Sequence, residues 1–109
     1  MSYDQGVVDR VRKALSKRRN VAERRMFGGL TFMVGGHMTC GVVGDELMVR
    51  VGPDAYAEAL KDRHAREMDF TGTPLKGFVF VESKGFATEE ALREWLDRAV
   101  EFVKTLPVK

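Results

Sequence analysis

The sequence has one cysteine, Cys40, and no long hydrophobic run. A single cysteine excludes an internal disulfide. Charged residues interrupt every apolar stretch well before the roughly 20 residues that a membrane-spanning helix requires. The N-terminal residues lack the basic and then apolar pattern of a secretory signal. We therefore expect a cytoplasmic protein with no membrane partner.

The sequence also lacks the motifs of catalysis and of cofactor binding. It has no phosphate-binding loop ending in Gly-Lys-Ser or Gly-Lys-Thr, and its glycine pairs lack the strand-to-helix context of a dinucleotide site. The candidate metal ligands are His37, Cys40, His64 and carboxylates. His37 and Cys40 lie three residues apart on a predicted strand, which places them on opposite faces. We expect no enzyme activity, no cofactor and no metal ion.

What the sequence does have is a stretch of alternating apolar residues, 24–51, that is interrupted by glycine pairs. Gly35-Gly36 predicts a two-residue hairpin turn, because glycine accepts a positive φ at both positions. Gly44-Asp45 predicts a second two-residue turn, of the kind with glycine first. The stretch therefore predicts an antiparallel meander.

Two helices are predicted, one before the meander and one after it. Ser2 and Gln5 have the spacing of a capping box, and the apolar periodicity behind them predicts a helix to about Lys17. After the meander, Pro53 and Asp54 predict the start of a short second helix, because proline is favoured at the first helical position and an acidic residue suits the helix N-terminus.

The C-terminal part of the chain predicts further strands and a third helix. Residues 61–67 alternate in charge without apolar periodicity, which predicts a loop. Met68–Phe70 is a candidate short strand, and Phe78–Val81 is apolar at every position, which predicts a central strand. Thr88 is placed to cap the last helix, and Pro107 to end it.

The meander is preceded by one more predicted strand, Val21–Met26, which leads into Gly28-Gly29. The missing side chains there predict a bulge or a close approach of two backbones. The whole chain, residues 1–109, is predicted to be a single α+β domain. Its two layers are an antiparallel sheet of about five or six strands and helices on one face, in the order α, β meander, α, β, α.

Three separated blocks resemble one protein family. The block MFGGLTFMVGGHMTCGVVGDELMVRVGP, residues 26–53, resembles the hallmark region of the TfoX N-terminal domain family, also called TfoX/Sxy-like proteins. DFTGTPLKGFVFV at 69–81 and FVKTLP at 102–107 are similar to the family in kind and order. The structural motif of the first block consists of Met26, Phe27, Gly28, Gly29, Gly35 and Gly36.

The resemblance implies an α+β domain that is associated, in longer proteins, with the regulation of natural competence genes. Those longer proteins carry a second, C-terminal domain. At 109 residues we expect this chain to be a stand-alone N-terminal domain.

The N-terminal quarter of the chain is strongly basic. Residues 1–25 contain eight basic and three acidic residues, giving +5, and the rest carries −3 of the net +2. One interpretation is a solvated helix face whose basic end suits the helix dipole. The other is a surface for an anionic partner such as nucleic acid. The candidate residues for that surface are Arg12, Arg18, Arg19, Arg24 and Arg25.

Cys40 and the methionines of the sheet region each have two interpretations. Cys40 is either a buried packing residue or a nucleophile, and its apolar strand favours packing. His37 follows a glycine turn and is expected to be exposed. The methionines of the sheet region either fill gaps in the core or line an adaptable groove for a partner helix. They are Met26, Met33, Met38 and Met48.

The sequence therefore leaves three functions open. The first is a non-enzymatic regulatory domain that acts through an unidentified protein partner. The second is a nucleic-acid-binding accessory that uses the basic cluster, although the absence of interleaved aromatics and of a recognition helix predicts only weak binding. The third is a small-molecule or thiol-dependent site around Cys40 and His37, with a pocket beneath Met26–Gly29. The two-faced apolar strand Phe78–Val81 is also compatible with a homodimer.

Overall fold

The computed structural model describes residues 3–26, 28–68 and 76–107. A six-stranded sheet forms one layer, in the order β1-β2-β3-β4-β6-β5, and every neighbouring pair is antiparallel. The elements are α1 (Gln5–Ala14), β1 (Val21–Met26), β2 (Gly29–Val34), β3 (His37–Val43), β4 (Glu46–Arg50), α2 (Tyr56–Ala59), β5 (Ala65–Glu67), β6 (Phe78–Val81), a 3₁₀ turn (Ser83–Phe86) and α3 (Glu89–Val103). The predicted α+β class and the meander are confirmed.

The three helices pack on the same face of the sheet. Their apolar stripes bury Val8 and Val11 of α1, Ala59 of α2 and Trp95 of α3 against the aliphatic side chains of the central strands. Trp95 also donates a hydrogen bond from Nε1 to the Gly85 carbonyl (3.2 Å), which satisfies its one polar atom. The predicted arrangement of helices on a single face is therefore confirmed.

The glycines of the meander have the backbone geometry that the hairpins require. Gly35 and Gly36 have φ values of 60° and 83°, and Gly44, which opens the second turn, has 59°. Gly29 serves a different purpose, because a Cβ atom there would lie 2.2 Å from the Val42 carbonyl oxygen. The predicted close approach of two backbones is confirmed at this position.

The boundaries of α1 differ from those predicted. Asp4, not Ser2, caps the helix: its Oδ1 accepts a hydrogen bond from the Val7 amide (3.1 Å). Ser2 lies outside the described residues. The helix ends at Ala14 instead of Lys17, because the chain tightens into a turn in which the Ser16 amide donates to the Lys13 carbonyl (3.2 Å).

The helix α2 also begins later than predicted. Pro53 and Asp54 lie in a turn, and the helix begins only at Tyr56. The chain before the turn is held elsewhere, since the amides of Val51 and Gly52 both donate to the Gly77 carbonyl (2.8 and 3.0 Å). This contact sets the direction of the chain and delays the helix.

The prediction that residues 61–67 form a loop is wrong, because Ala65–Glu67 is the edge strand β5, paired with β6. A three-residue edge strand is too short to show apolar alternation. Met68 is buried but lies outside any strand, and the rest of the candidate strand Met68–Phe70 lies outside the described residues.

The central position predicted for Phe78–Val81 is confirmed, because β6 pairs with β4 on one side and β5 on the other. The Thr88 cap is also confirmed, with Oγ1 accepting from the Ala91 amide (3.0 Å). Pro107 does not itself end α3, which stops at Val103 in a tightened final turn.

We predict that replacing Gly35 and Gly36 with alanine destabilises the fold by at least ~1 kcal/mol, because alanine disfavours positive φ. The cost is conformational, since a Cβ atom at Gly35 would meet nothing within 4 Å. Denaturant midpoints measure the loss. The single variants Gly35→Ala and Gly35→Asn form the matched pair, because asparagine tolerates the left-handed region and should cost less than alanine at the same position. Equal midpoints for the parent and the double alanine variant would contradict this prediction.

Candidate interaction surface

The face of the sheet opposite the helices is here called the open face. Strand register defines it, because residues paired across neighbouring antiparallel strands point to the same side. One row of paired residues crosses all six strands on this face and has an arginine at each end. The row consists of Arg24, Thr31, Gly41, Met48, Phe80 and Arg66.

Methionines are concentrated on the open face. The chain has six methionines, and all except Met1, which lies outside the described residues, occupy this face by register or by packing: Met26, Met33, Met38, Met48 and Met68. Met48 and Met68 are fully buried with Phe80, whereas the other three are half-buried. Methionine is flexible and polarizable, so an apolar surface built from it can adapt to different shapes.

The methionines combine core packing with surface exposure. Met48, Met68 and Phe80 form a small second core, against which the half-buried Met38 and Phe78 pack. Within the described ranges, no residue of the three helices belongs to this cluster. At the β1 end of the same face, a shallow cavity of about 420 Å³ is lined by Ala22, Arg24, Met33 and Gly36. The open face therefore presents apolar side chains that the helix layer does not cover.

Arg50, at the end of β4, is the functional candidate that sequence reasoning missed. Its Nη1 donates to the Met38 carbonyl (3.2 Å), and its Cζ lies 5.4 Å from the ring centroids of both Phe78 and Phe102. Burial lowers the pKa of its guanidinium, because the charged form loses solvent. Within the described part of the chain, no carboxylate forms an ion pair with it. The available signal was a lone arginine in the apolar strand ELMVR.

Two more arginines border the open face. Arg66 stacks over the Phe80 ring at 4.7 Å and binds the Glu46 carboxylate through Nε (3.3 Å) and Nη2. Arg24 is exposed on β1. Glu46 is the one carboxylate on the described strands of this face, which also carry Arg24, Arg50 and Arg66.

The five arginines of the predicted anionic-partner surface do not all lie on one face of the sheet, although Arg12 and Arg18 line one cavity of about 320 Å³. Arg12 binds Glu23 through Nε and Nη2 (both 2.8 Å), which lowers the pKa of the Glu23 carboxyl, chiefly through that hydrogen bond. Arg18 lies 3.3 Å from Asp97 of α3. Arg19 is exposed and lines a pocket of about 230 Å³.

Arg24 and Arg25 diverge, because successive residues of a strand point to opposite faces. Arg24 pairs with Thr31 on the open face, and Arg25 pairs with Leu30 on the helix side. The structure therefore brings Arg24 to the methionines and separates it from the arginines near α1.

Residues 13–103, nearly the whole chain, match the profile of the TfoX N-terminal domain. The chain belongs to the TfoX N-terminal domain family. The resemblance found in the sequence is thus confirmed. No curated protein and no solved structure matches the chain. Of the family motif residues, Phe27 lies outside the described residues.

In this TfoX N-terminal domain, Cys40 is a core residue, as its apolar strand predicted. It is 0% exposed, and it pairs with Phe32 and Val49 on the helix side of the sheet. Burial raises the pKa of its thiol to about 12, because the thiolate would have to form away from water.

The prediction that His37 is exposed is wrong. Its side chain is only 8% exposed, and its Nε2 lies 2.5 Å from the Pro107 carbonyl oxygen. The contact fixes the chain after α3 against the start of β3, so the residue has a structural partner that a local turn pattern does not reveal.

The prediction that His37 and Cys40 lie on opposite faces is also wrong. A register shift makes Val34 pair with His37 while Phe32 pairs with Cys40, which leaves Thr39 as an extra residue in β3. Because of this bulge, the side chains of His37 and Cys40 both point to the helix side of the sheet. Thr39 stabilises the bulge by donating from Oγ1 to the His37 carbonyl (2.9 Å).

The described ranges of this TfoX N-terminal domain contain no group of three histidine, cysteine or acidic side chains that could hold a metal ion. Among the helices of residues 3–26, 28–68 and 76–107, none combines the length and apolar composition of a membrane span. At the predicted pocket beneath Met26–Gly29, the Val42 carbonyl occupies the space beside Gly29.

We predict that Ellman's reagent reacts slowly with Cys40 in the folded protein and quickly in guanidinium, because the native thiol is buried and its pKa is raised. The unfolded protein is the control for full reactivity. Rapid stoichiometric labelling of native protein at neutral pH would contradict the packing role and restore the nucleophile hypothesis.

Proposed function

We propose that this TfoX N-terminal domain is a non-enzymatic regulatory module that binds a protein partner through the open face of its sheet. The observation that carries the proposal is the segregation of the methionines onto the face that the helices leave uncovered. The family supports the regulatory part, because longer proteins that resemble this domain are associated with control of competence genes.

The chemistry of the open face suits a protein partner. Half-buried Met33, Met38 and Phe78 offer apolar area that a partner can remove from water. Methionine-rich surfaces can repack around different side chains, a property of proteins that bind several targets. A partner segment would therefore gain contact area with little change in the sheet.

Site-specific photocrosslinking tests this proposal. We predict that benzoylphenylalanine in place of the half-buried Met33 captures a protein from a lysate of the source organism. The same group in place of Arg93, an exposed residue of α3, should not capture that protein. Crosslinked products are separated and identified by mass spectrometry. Capture of the same protein from both positions, or from neither, would contradict binding through the open face.

A nucleic-acid-binding accessory is the second candidate, favoured by the +5 charge of residues 1–25. Two of its five candidate arginines, Arg12 and Arg18, are already bound to carboxylates, which reduces the charge available to phosphates. The third candidate, a thiol-dependent site, has only the buried Cys40 as its nucleophile. The protein-partner proposal therefore comes first.

We predict weak, sequence-independent binding to duplex DNA, with a Kd of about 10⁻⁴ to 10⁻⁶ M at physiological salt. Each phosphate contact should contribute about −0.9 to the slope of log affinity against log salt, so four contacts would give about −3.6. Fluorescence anisotropy across a salt series measures both quantities. Sub-micromolar, sequence-selective binding that falls in an Arg24→Gln, Arg25→Gln variant would favour direct DNA recognition instead.

A further inference from the structure

We infer that the partner segment recognised by the open face is acidic and amphipathic, with apolar side chains packed on the methionines and a carboxylate bound to Arg50. The inference rests on the proposed function, because it names the chemistry of the partner at that same face. It follows from the placement of Arg50, the charged residues that border the face and its half-buried apolar side chains.

Arg50 is held ready for an anion. The ring of Phe78 on the open face and the ring of Phe102 on α3 both lie 5.4 Å from its Cζ, so the guanidinium lies where the open face meets the helix layer. The Met38 carbonyl accepts one of its five N–H groups. A guanidinium fixed in this way loses less conformational freedom when it binds than a freely rotating side chain would. Its planar fork matches the two oxygens of a carboxylate.

The remaining charges of the open face favour the same partner. Arg66 already holds Glu46, and Arg24 is exposed at the opposite edge. The described strands of this face carry three arginines, Arg24, Arg50 and Arg66, and one carboxylate, Glu46. A second copy stacked on the same face would bring like charges together at Arg24 and Arg50, which is unfavourable in a desolvated contact. Nucleic acid would supply anions but no apolar side chains for the methionines.

The dimensions of the open face suit a short segment. Six strands with spacings of about 4.8 Å make the row from Arg24 to Arg66 roughly 24 Å wide. A helix of about 16 residues has this length. The middle of that row is already buried at Thr31, Met48 and Phe80. The segment would therefore pack on the half-buried Met33, Met38 and Phe78, which lie beside Arg50.

The test uses the methionines as reporters. Protein labelled with ¹³C at the methionine methyl groups is titrated with three peptides of about 16 residues that share one leucine stripe. Their polar positions carry glutamate, glutamine or lysine. The glutamate peptide should shift the Met33 and Met38 methyl signals and bind about tenfold more tightly than the glutamine peptide, with the lysine peptide weaker still.

Arg50→Gln should remove most of the preference for glutamate over glutamine. Arg98→Gln is the matched control, because Arg98 also stacks on an aromatic ring, 4.6 Å from the Trp95 centroid, but lies on α3. Urea midpoints establish that both variants are folded. If Arg50→Gln unfolds the protein, two other variants test the preference for the glutamate peptide. Arg24→Gln removes a charge at an exposed position, and Arg50→Lys keeps the charge without the planar fork.

The outcomes separate the two proposals. Equal binding of the glutamate and glutamine peptides with shifted methionine signals would overturn the acidic partner and leave the open face as a binding surface. A preference that survives in both Arg50→Gln and Arg24→Gln would likewise overturn the inference. Unchanged methionine signals with all three peptides would overturn it as well, and crosslinking from Met33 would then decide the proposed function independently.

Discussion

Strand pairing at the centre of the sheet places apolar side chains on both of its faces, and the rest of the structure depends on this constraint. In β4 and β6, Leu47 pairs with Val81 on the helix side, while Met48 pairs with Phe80 on the other. All four are almost completely buried. The three helices cover only one face, so the two apolar layers have different surroundings.

The face that the helices cover and the face that they leave uncovered carry different kinds of apolar side chain. Branched aliphatic residues fill the helix side, where a close-packed interior has one arrangement. Methionines fill the open face, where flexible side chains can pack among themselves and still adapt to another molecule. Two arginines beside that layer stack on aromatic rings: Arg66 on Phe80, and Arg50 between Phe78 and Phe102. Strand register thus leads directly to a surface with apolar contact area and a positioned positive charge.

Local patterns in the sequence were sufficient for much of the fold. Gly35-Gly36 and Thr88 act through the geometry of a few neighbouring residues, so their signals could be read without a structure. The run Phe78–Val81 pairs with the distant β4, but its apolar composition at every position already indicated burial on both faces. The edge strand β5 was missed, because its three residues are specified by pairing with β6 and not by their own periodicity. His37 was misplaced for a similar reason, since the bulge at Thr39 is a property of two paired strands.

The sequence by itself determined the family, the meander and the helical stripes, because hydrogen-bond periodicity and turn chemistry are local. The tertiary structure decided which face of the sheet the helices cover and therefore where the methionines lie. It also decided that Arg50 meets both Phe78 and Phe102, and that His37 meets Pro107. These contacts join residues far apart in the chain, and they exist only after the sheet, the helices and the C-terminal segment have packed together.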